Sequence, residues 1–386
     1  MVNTQLQRSK TVKVLITGAN GFIGKNLQLH LAERKDVEVV CFTREHAIAQ
    51  LPELLRDIDF VFHLAGVNRP QDPSEFASGN TDLTMALCDA LAELAAATDR
   101  KVPVVFTSSS QAALDNPYGA SKRAAEDALF SLQRHHDLAV HVFRLPNVFG
   151  KWCKPNYNSA VATFCYNIPR GLPVQVNDPS APLTLVYVDD VLQRFIQLMD
   201  GADSSVDANG FSVVVPQYIT TVGEVASLIQ AFKDSRQTLM SERVGTGLVR
   251  ALYSTYVSYL PPEAFTYTVS MYGDPRGVFA EMLKTPDCGQ FSYFTAHPGV
   301  TRGGHYHHSK TEKFLVIKGQ ARFKFRHMHS GETYELTTSG EKAEIVETVP
   351  GWTHDITNIG MEEMVVMLWA NEVFDRQRPD TFACPL

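Results

Sequence analysis

The first half of the chain alternates short β-branched runs with helical patterns of apolar residues. Strands are predicted at 12–17, 37–43, 60–65, 102–108 and 139–145, and helices between them at 24–34, 80–97 and 118–134. Such repetition of strand and helix favours a parallel sheet that is covered by helices on both faces. The first half is therefore predicted to be an α/β, Rossmann-like domain.

The pattern changes at Leu260-Pro261-Pro262, directly after a last predicted helix at 247–260. Short strands separated by glycine and polar turns follow, at 290–296, 312–317, 321–327, 333–336, 344–348 and 364–370. Many short strands with turns between them are typical of a β-sandwich or barrel. We therefore predict two domains, an α/β domain over 1–260 and an all-β domain over 261–386.

Composition supports a two-domain globular chain and excludes several other classes. The 386 residues are 44% hydrophobic and 20% charged, which argues against a disordered or disulfide-stapled protein. A formal net charge of -7 without a basic run argues against nonspecific nucleic-acid binding. The N-terminal residues are polar, and the longest apolar run, 364–370, is too short to span a membrane. The six scattered cysteines form no CxxC pair, so we expect free thiols in a cytoplasmic protein.

A glycine-rich turn links the first predicted strand to the first helix. Its glycines, Gly18, Gly21 and Gly24, have GxxGxxG spacing. Such a turn lets backbone N–H groups approach a pyrophosphate at the start of a helix, where the helix dipole favours an anion. The predicted cofactor-binding residues of this turn are Gly18, Asn20, Gly21, Phe22, Ile23 and Gly24.

The end of the second predicted strand bears on the choice between NAD and NADP. Arg44 suits the 2′-phosphate of NADP, whereas an acidic residue there would bind the free ribose hydroxyl of NAD. Glu45 stands next to Arg44 and leaves both options open, with NADPH favoured.

Serine, tyrosine and lysine residues follow at the spacing that carbonyl reduction needs. Tyr118 and Lys122 are four residues apart on a predicted helix and share one face, and a serine run, 108–110, ends the strand before it. The lysine is expected to lower the pKa of the phenol, which then exchanges a proton with a substrate oxygen held by a serine.

These motifs together resemble the extended short-chain dehydrogenase/reductase family. The matching segments are GANGFIG at 18–24, HLAG at 63–66, YGASK at 118–122 and RLPNVFG at 144–150. The resemblance implies that Tyr118 is the acid/base, Lys122 its partner, and Ser109 the catalytic serine, with Ser108 and Ser110 as rivals. It also implies cofactor contacts from His63, Leu64, Ala65, Asn80, Leu145, Pro146 and Val148, and a substrate contact from Asn147. Many members act on nucleotide sugars.

The second domain carries a set of residues with metal-ligand chemistry. His305 and His307 alternate on a predicted strand, Glu312 can return on the next strand, and His354 comes from a distant one. Three imidazoles and a carboxylate suit Zn²⁺, but also Mn, Fe or Ni. The spacing G-x5-H-x-H-x4-E-x6-G over 299–319 resembles the cupin family, with a second motif at 350–358 that departs in its glycine spacing.

A second resemblance covers the same residues. The segment Arg302-Gly303-Gly304-His305 is similar to the Arg-Gly-x-His segment of deoxysugar 3,5-epimerases, which are metal-free cupins. It implies that His305 is the proton-abstracting base and that Arg302 binds the nucleotide diphosphate. A His305 that ligates a metal cannot also be a free base, and the sequence leaves this choice open. Lys313 is a candidate for binding substrate or stabilising an enolate.

Over nearly its full length the chain resembles the bifunctional epimerase/reductases of capsular polysaccharide and O-antigen synthesis. Segments beyond the generic motifs carry this resemblance, at 144–168, 252–260, 273–285 and 289–314. It implies C3 epimerisation of a UDP-2-acetamido-2,6-dideoxy-4-ketohexose in a zinc cupin, then C4 reduction with NADPH to a UDP-N-acetyl-6-deoxy-L-talosamine type sugar, in a homodimer. The alternatives are a single-function reductase or epimerase with a structural cupin, and a redox-sensing regulator, against which intact Tyr118 and Lys122 argue.

Overall fold

The computed structural model describes residues 11–68, 72, 76–274, 277–280, 283, 289–372 and 377–386. The chain forms two compact units. The first contains residues 11–148 and 185–217, and the second contains residues 149–184 and 218–386. The segment at 273–285, which carries part of the full-length resemblance, lies partly outside the described residues.

A five-stranded parallel sheet forms the centre of the first unit. Its strands are β1 (Val12–Thr17), β2 (Val37–Phe42), β3 (Phe60–His63), β4 (Val104–Ser109) and β5 (Val140–Leu145). Their order is β2-β1-β3-β4-β5, so the chain starts in the middle of the sheet and then extends it on both sides. Every pairing is parallel, and β1, β3 and β4 are almost wholly buried, as β-branched strands between two helical layers should be.

Helices connect these strands and cover the sheet. They are α1 (Phe22–Ala32), the short α2 (Leu51–Leu54), α3 (Leu83–Thr98), α4 (Pro117–His136) and, later in the chain, α6 (Val188–Met199). One turn of π-helix, Ala77–Asp82, precedes α3. Asn116 caps the N-terminus of α4 by accepting a hydrogen bond from Gly119 N at 2.8 Å, and Pro117 occupies the first helical position. The predicted α/β, Rossmann-like fold is confirmed.

The second unit is built around two antiparallel five-stranded sheets. The first has the order β12-β19-β14-β17-β9 and the second the order β16-β15-β18-β13-β20. The strands are β9 (Thr266–Thr268), β12 (Gln290–Ala296), β13 (Thr301–Tyr306), β14 (Glu312–Lys318), β15 (Gln320–His327), β16 (Thr333–Ser339), β17 (Glu344–Glu347), β18 (Trp352–Asn358), β19 (Met364–Ala370) and β20 (Phe382–Ala383). Two sheets of this kind make the predicted cupin fold, and aromatic residues such as Phe314, Phe323 and Trp369 fill their core.

The remaining elements lie around these sheets. A hairpin of β10 (Met271–Asp274) and β11 (Gly277–Ala280) precedes β12. The helices of the second unit are α5 (Ala160–Asn167), α7 (Val222–Thr238) and α8 (Gly247–Ser258), and β8 (Tyr218–Thr221) precedes α7. Two strands, β6 (Asn147–Phe149) and β7 (Pro182–Tyr187), lie where the chain passes between the units.

The two compact units do not meet at residue 260, where the domain boundary was predicted. That boundary stays a prediction. Helices α7 and α8 pack in the same unit as the β-sheets that follow them. Ser254 of α8 donates a hydrogen bond to Ser309 O at 2.5 Å, and Arg250 forms an ion pair with Glu372 at 2.7 Å. These long-range contacts hold the helices against the β-strands, and a local helical pattern gives no sign of them.

The described residues contain neither a helix that could span a membrane nor a disulfide bond. No helix of the described chain has the length and apolar character needed to cross a bilayer. The five cysteines that lie in described segments are free thiols, as predicted, and Cys288 lies outside those segments.

Candidate active sites in the two units

The glycine turn after β1 is held in a conformation that larger residues cannot adopt. Gly18 has φ = +69°, and a Cβ atom there would come within 2.6 Å of Ala65 N. A Cβ atom on Gly24 would come within 2.4 Å of Gly18 O. Gly21 is the N-cap of α1, so the first N–H groups of that helix lie beside the loop. The turn therefore fits the pyrophosphate of a dinucleotide, which needs free N–H groups at close range.

The other residues of the turn differ in their exposure. Asn20 is exposed, while Phe22 and Ile23 are half-buried in the first turn of α1. Their backbone N–H groups, rather than any charged side chain, are the features that suit an anion here.

Residues predicted to line the cofactor after β3 have side chains that already bind protein groups. The ring of His63 is buried between Thr17 Oγ1 and Thr84 Oγ1, each 2.7 Å away. Burial, with Lys122 nearby, lowers the pKa of His63 to about 3, so its ring is neutral. Asn80 accepts a hydrogen bond from Val67 N at 2.7 Å and donates one to Ser121 Oγ at 3.0 Å. Both side chains therefore position the loop that contains Leu64 and Ala65.

The remaining predicted cofactor and substrate residues of the first unit lie at strand ends. Arg44 is exposed just after β2, and Leu145 is buried at the end of β5. In β6, Asn147 is exposed and Val148 is half-buried. An exposed guanidinium at the end of β2 is compatible with a 2′-phosphate, but the choice between NADPH and NADH stays a prediction.

Ser109 and Tyr118 are brought together by the turn between β4 and α4. The Tyr118 phenol lies next to the Ser109 side chain, which accepts a hydrogen bond from Gln111 N at 3.2 Å. Lys122 lies one helical turn further on, and its Nζ donates a hydrogen bond to Thr107 O at 3.0 Å. Of the three rival serines, the one that contacts the tyrosine is therefore Ser109.

The pKa values of Tyr118 and Lys122 are both shifted, and the shift of Tyr118 is opposite to the predicted one. Burial raises the pKa of Tyr118, partly offset by the Ser109 hydrogen bond, although the sequence predicted a lowered value. Burial also lowers the pKa of Lys122 to about 8, against the opposing influence of Glu126. Burial thus outweighs the expected lowering of the phenol pKa.

Sequence reasoning missed the buried ion pair behind the serine run. Ser108 donates a hydrogen bond to Glu126 Oε1 at 2.5 Å, and Glu126 is bound by Arg144 at 2.6 Å. Ser108 is therefore committed to a structural contact. One pattern in the sequence places Glu126 near this group: it follows Lys122 by four residues, so both lie on one face of α4.

The four predicted metal ligands of the second unit converge on one point. One ligand atom from each of His305, His307, Glu312 and His354 lies within 4.8 Å of the others. His305 lies in β13, His307 directly after it, Glu312 begins β14, and His354 lies in β18. The three imidazole centroids are 4.8 to 5.2 Å apart.

The chemical state of these donors fits a divalent cation. Both ring nitrogens of His354 are buried without a hydrogen bond, and its Nε2 is 3.6 Å from Glu312 Oε2. Burial lowers the pKa of His354, and burial with His354 and His307 lowers the pKa of His305 to about 3. Burial alone would raise the pKa of Glu312, but the neighbouring His307 holds it well below its usual range. Neutral imidazoles beside a carboxylate are the forms that bind Zn²⁺.

Lys313 does not lie in this site, which corrects its predicted role as a substrate residue. Successive side chains of a strand point to opposite faces, so Lys313 projects away from Glu312. Its buried Nζ bonds Glu347 and the hydroxyl of Tyr267, and Glu347 in turn binds Arg236. A 2% exposed ammonium in a closed network is inaccessible to a substrate.

Arg302, the other predicted substrate residue of this unit, is exposed at the start of β13. Its guanidinium lies 5.0 Å from the ring centroid of Phe294 and donates to Thr295 O at 3.0 Å. These contacts leave part of the guanidinium open to solvent, so its role as a phosphate ligand stays a prediction.

Sequence and structural comparisons agree with this arrangement. Residues 14–213 match the NAD dependent epimerase/dehydratase family, and residues 272–382 match the polysaccharide biosynthesis C-terminal domain. A Pseudomonas aeruginosa protein named UDP-2-acetamido-2,6-beta-L-arabino-hexul-4-ose reductase is 63% identical over 374 residues, which are 97% of this chain and 98% of that protein. The crystal structure of the capsular polysaccharide assembling protein CapF from Staphylococcus aureus is 40% identical, covers 97% of this chain and 100% of its own, and has a TM-score of 0.65.

The chain belongs to the CapF-like branch of the epimerase/dehydratase family. A second CapF crystal structure, with the inhibitor 3-isopropenyl-tropolone, is 37% identical over 97% of this chain with a TM-score of 0.62. The predicted resemblance to capsule and O-antigen enzymes and the predicted fold of both halves are thus confirmed. In this CapF-like chain the cupin-type half contains the histidine cluster and the reductase-type half contains the serine, tyrosine and lysine.

Proposed function

We propose that this chain reduces the C4 ketone of a UDP-linked 2-acetamido-2,6-dideoxy sugar. The observation that carries the proposal is the adjacent pair of Ser109 and Tyr118, with Lys122 one helical turn beyond the tyrosine, in a chain 63% identical to a protein named as such a reductase. The nicotinamide cofactor, when bound at the glycine turn, supplies the hydride.

Each residue of this group has a separate task in the proposed reaction. Tyr118 donates the proton that the C4 oxygen needs as hydride reaches the C4 carbon. Its raised pKa suits this task, because the phenol stays protonated until the alkoxide develops. Ser109 holds the same oxygen by a hydrogen bond, and Lys122 supplies a buried positive charge close by.

We propose NADPH rather than NADH as the reductant. Exposed Arg44, at the end of β2, is placed where a 2′-phosphate lies in this fold class. Arg44→Ala should raise the KM for NADPH far more than the KM for NADH. Equal changes in the two KM values would remove Arg44 from cofactor discrimination.

We propose in addition that the second unit epimerises C3 of the sugar before reduction. A ketone at C4 acidifies the C3–H bond, because the resulting carbanion is delocalised as an enolate. Reduction removes that ketone, so epimerisation has to come first. The product would be a UDP-N-acetyl-6-deoxy-L-talosamine type sugar on the route to N-acetyl-L-fucosamine, made by a cytoplasmic homodimer.

The proposed metal is Zn²⁺, held by His305, His307, Glu312 and His354. Four donor atoms within 4.8 Å favour His305 as a ligand over His305 as a free base. The metal, when bound, would polarise the C4 carbonyl as a Lewis acid. Arg302 is proposed to bind the nucleotide diphosphate from the rim of the cluster.

The deciding experiment follows the ring protons of the UDP-linked 4-ketosugar by NMR in heavy water. Without NADPH, the intact enzyme should exchange the C3 hydrogen for deuterium and leave the ketone in place. With NADPH, a C4 alcohol should accumulate that has deuterium at C3 and, at C4, the hydrogen transferred from NADPH. Reduction without any C3 exchange would contradict the epimerase proposal and leave the reductase proposal intact.

A second candidate function is a single-function 4-reductase whose cupin is structural. One observation favours it, since the P. aeruginosa relative is named as a reductase alone. It predicts that a variant without the histidine cluster reduces the ketosugar at the normal rate and yields the same product stereochemistry. The bifunctional proposal predicts a changed product or none.

A further inference from the structure

The C-terminal segment after β19 returns to the histidine cluster. Strand β20 pairs with β13, the strand that contains His305, and β13 pairs in turn with β18, the strand that contains His354. In the strand pairing, His305 lies opposite Ala383 of β20, and Cys384 N donates a hydrogen bond to Gly304 O at 2.7 Å. Thr353 Oγ1 donates to Cys384 O at 2.5 Å. The segment therefore forms a strap, defined here as residues 380–386, across the strands of the cluster.

Asp380, the first residue of the strap, contacts the cluster in two ways. Its backbone carbonyl accepts the Nδ1 hydrogen bond of His307 at 2.5 Å. With that bond made, Nε2 is the atom of His307 that would bind the metal, and it lies 3.2 Å from Oε2 of Glu312, another predicted ligand. A carbonyl acceptor on the other ring nitrogen is a common way of fixing the tautomer and orientation of a metal-binding histidine.

The side chain of Asp380 fixes the loop between His307 and Glu312. Its Oδ1 accepts the His308 N–H at 2.8 Å. Its Oδ2 accepts the N–H groups of Ser309 and Lys310, at 2.7 and 2.6 Å, and the Ser309 hydroxyl at 2.9 Å. Four donors on one carboxylate hold three of the four residues that separate two predicted metal ligands.

We propose that Asp380 is a positioning residue for the metal site of the cupin. It acts through His307, whose ring it orients with its carbonyl, and through the loop at 308–310, which it holds with its carboxylate. The inference rests on the metal proposed above. It adds to that proposal a residue 73 positions away from His307, to which neither cupin motif extends.

The test measures Zn²⁺ affinity by chelator competition on the full-length protein. Asp380→Ala should weaken Zn²⁺ binding by about 10- to 100-fold, the usual cost of losing a group that orients a ligand. Asp380→Asn keeps the shape of the side chain but replaces one carboxylate oxygen with an NH₂ group. That group would face backbone N–H donors, so this variant should also weaken Zn²⁺ binding. The control is Glu344→Gln, in the same barrel, where the carboxylate accepts a hydrogen bond from Thr338 Oγ1 at 2.8 Å. This variant should leave Zn²⁺ affinity unchanged.

A second measurement separates positioning from mere loss of stability. In ¹⁵N-histidine NMR spectra of the zinc-loaded protein, the Nδ1–H signal of His307, assigned with His307→Ala, should shift or broaden in Asp380→Asn while the fold is retained. If Asp380→Ala does not fold, the Asp380→Asn affinity and spectrum decide. Wild-type affinity in a folded Asp380 variant, or an equal loss in Glu344→Gln, would overturn the proposal. A wild-type protein that binds no Zn²⁺ would overturn the metal proposal together with this one.

Discussion

The two candidate sites differ in how far apart their residues lie in the sequence. Ser109, Tyr118 and Lys122 fall within one strand, one turn and one helix of the first unit. The histidine cluster of the second unit needs β13, β14 and β18, and the strap adds residues that follow β19. A local site forms once its helix forms, whereas a dispersed site depends on the whole barrel and is more sensitive to distant changes.

The sharpest way to separate the two sites is Tyr118→Phe. Without the phenol proton, reduction of the UDP-linked ketosugar should slow by about 10²- to 10⁴-fold, the usual contribution of a general acid. Zn²⁺ content and C3 exchange should stay at wild-type levels. The rate is measured as NADPH oxidation and exchange by NMR. Simultaneous loss of both activities in a folded protein would end the proposed division of labour.

Glu347→Gln should show how strongly the barrel depends on one buried carboxylate. Glu347 binds both Lys313 and Arg236, so its loss leaves two buried cations without an anionic partner. Removing one member of a buried ion pair costs about 3–5 kcal/mol of unfolding free energy. Denaturant unfolding measures the change. Glu335→Gln, at an exposed position on β16, is the control and should change stability by less than about 0.5 kcal/mol.

His354→Ala tests the dispersed site from the strand most distant in sequence. Because it removes one of four donors, Zn²⁺ affinity should fall by more than about 100-fold. That loss exceeds the cost of removing a residue that only orients a ligand. The exposed imidazole of His297 provides the matched control, and His297→Ala should bind Zn²⁺ normally. Zinc loss with retained C3 exchange would show that the metal is not catalytic.

The smallest expected effect comes from the glycine turn. Gly18→Ala and Gly201→Ala both place a side chain at positive φ, which costs about 1–2 kcal/mol. A Cβ at Gly18 collides with Ala65 N, whereas a Cβ at Gly201 meets no atom within 4 Å. Gly18→Ala alone should therefore weaken NADPH binding, by about tenfold or ~1.4 kcal/mol. Titration of cofactor fluorescence measures it, and equal affinity in both variants would contradict the assignment of the turn.

Local patterns in the sequence predicted much of both sites. The alternation of strand and helix predicted β1 without error, since a buried parallel strand is a short run of β-branched residues between turn signals. The ligand spacing predicted the four-residue cluster, whose donors lie on or directly after β13, on β14 and on β18. The glycine spacing likewise predicted a turn whose geometry tolerates no Cβ at Gly18 or Gly24.

Other features depend on contacts between distant residues and left no local sign. Lys313 was expected to face a substrate. Because it follows Glu312 on β14, its side chain points to the opposite face of the strand, where it binds Glu347 of another strand. Helices α7 and α8 belong by pattern to the α/β half, yet the ion pair of Arg250 with Glu372 joins them to the β half. Asp380 lies outside both cupin motifs, and its hydrogen bonds to residues 308–310 likewise join distant parts of the chain.

The alternation of Glu312 and Lys313 on β14 also constrains how this barrel can tolerate insertions. A strand has a side-chain period of two, so a slip of one residue in its register would turn the Glu312 carboxylate outward and the ammonium inward. An inserted residue in the loop at 308–311 could therefore abolish cation binding without changing any donor. Length variation among natural homologues of this cupin should accordingly avoid that loop and concentrate at turns such as 329–332.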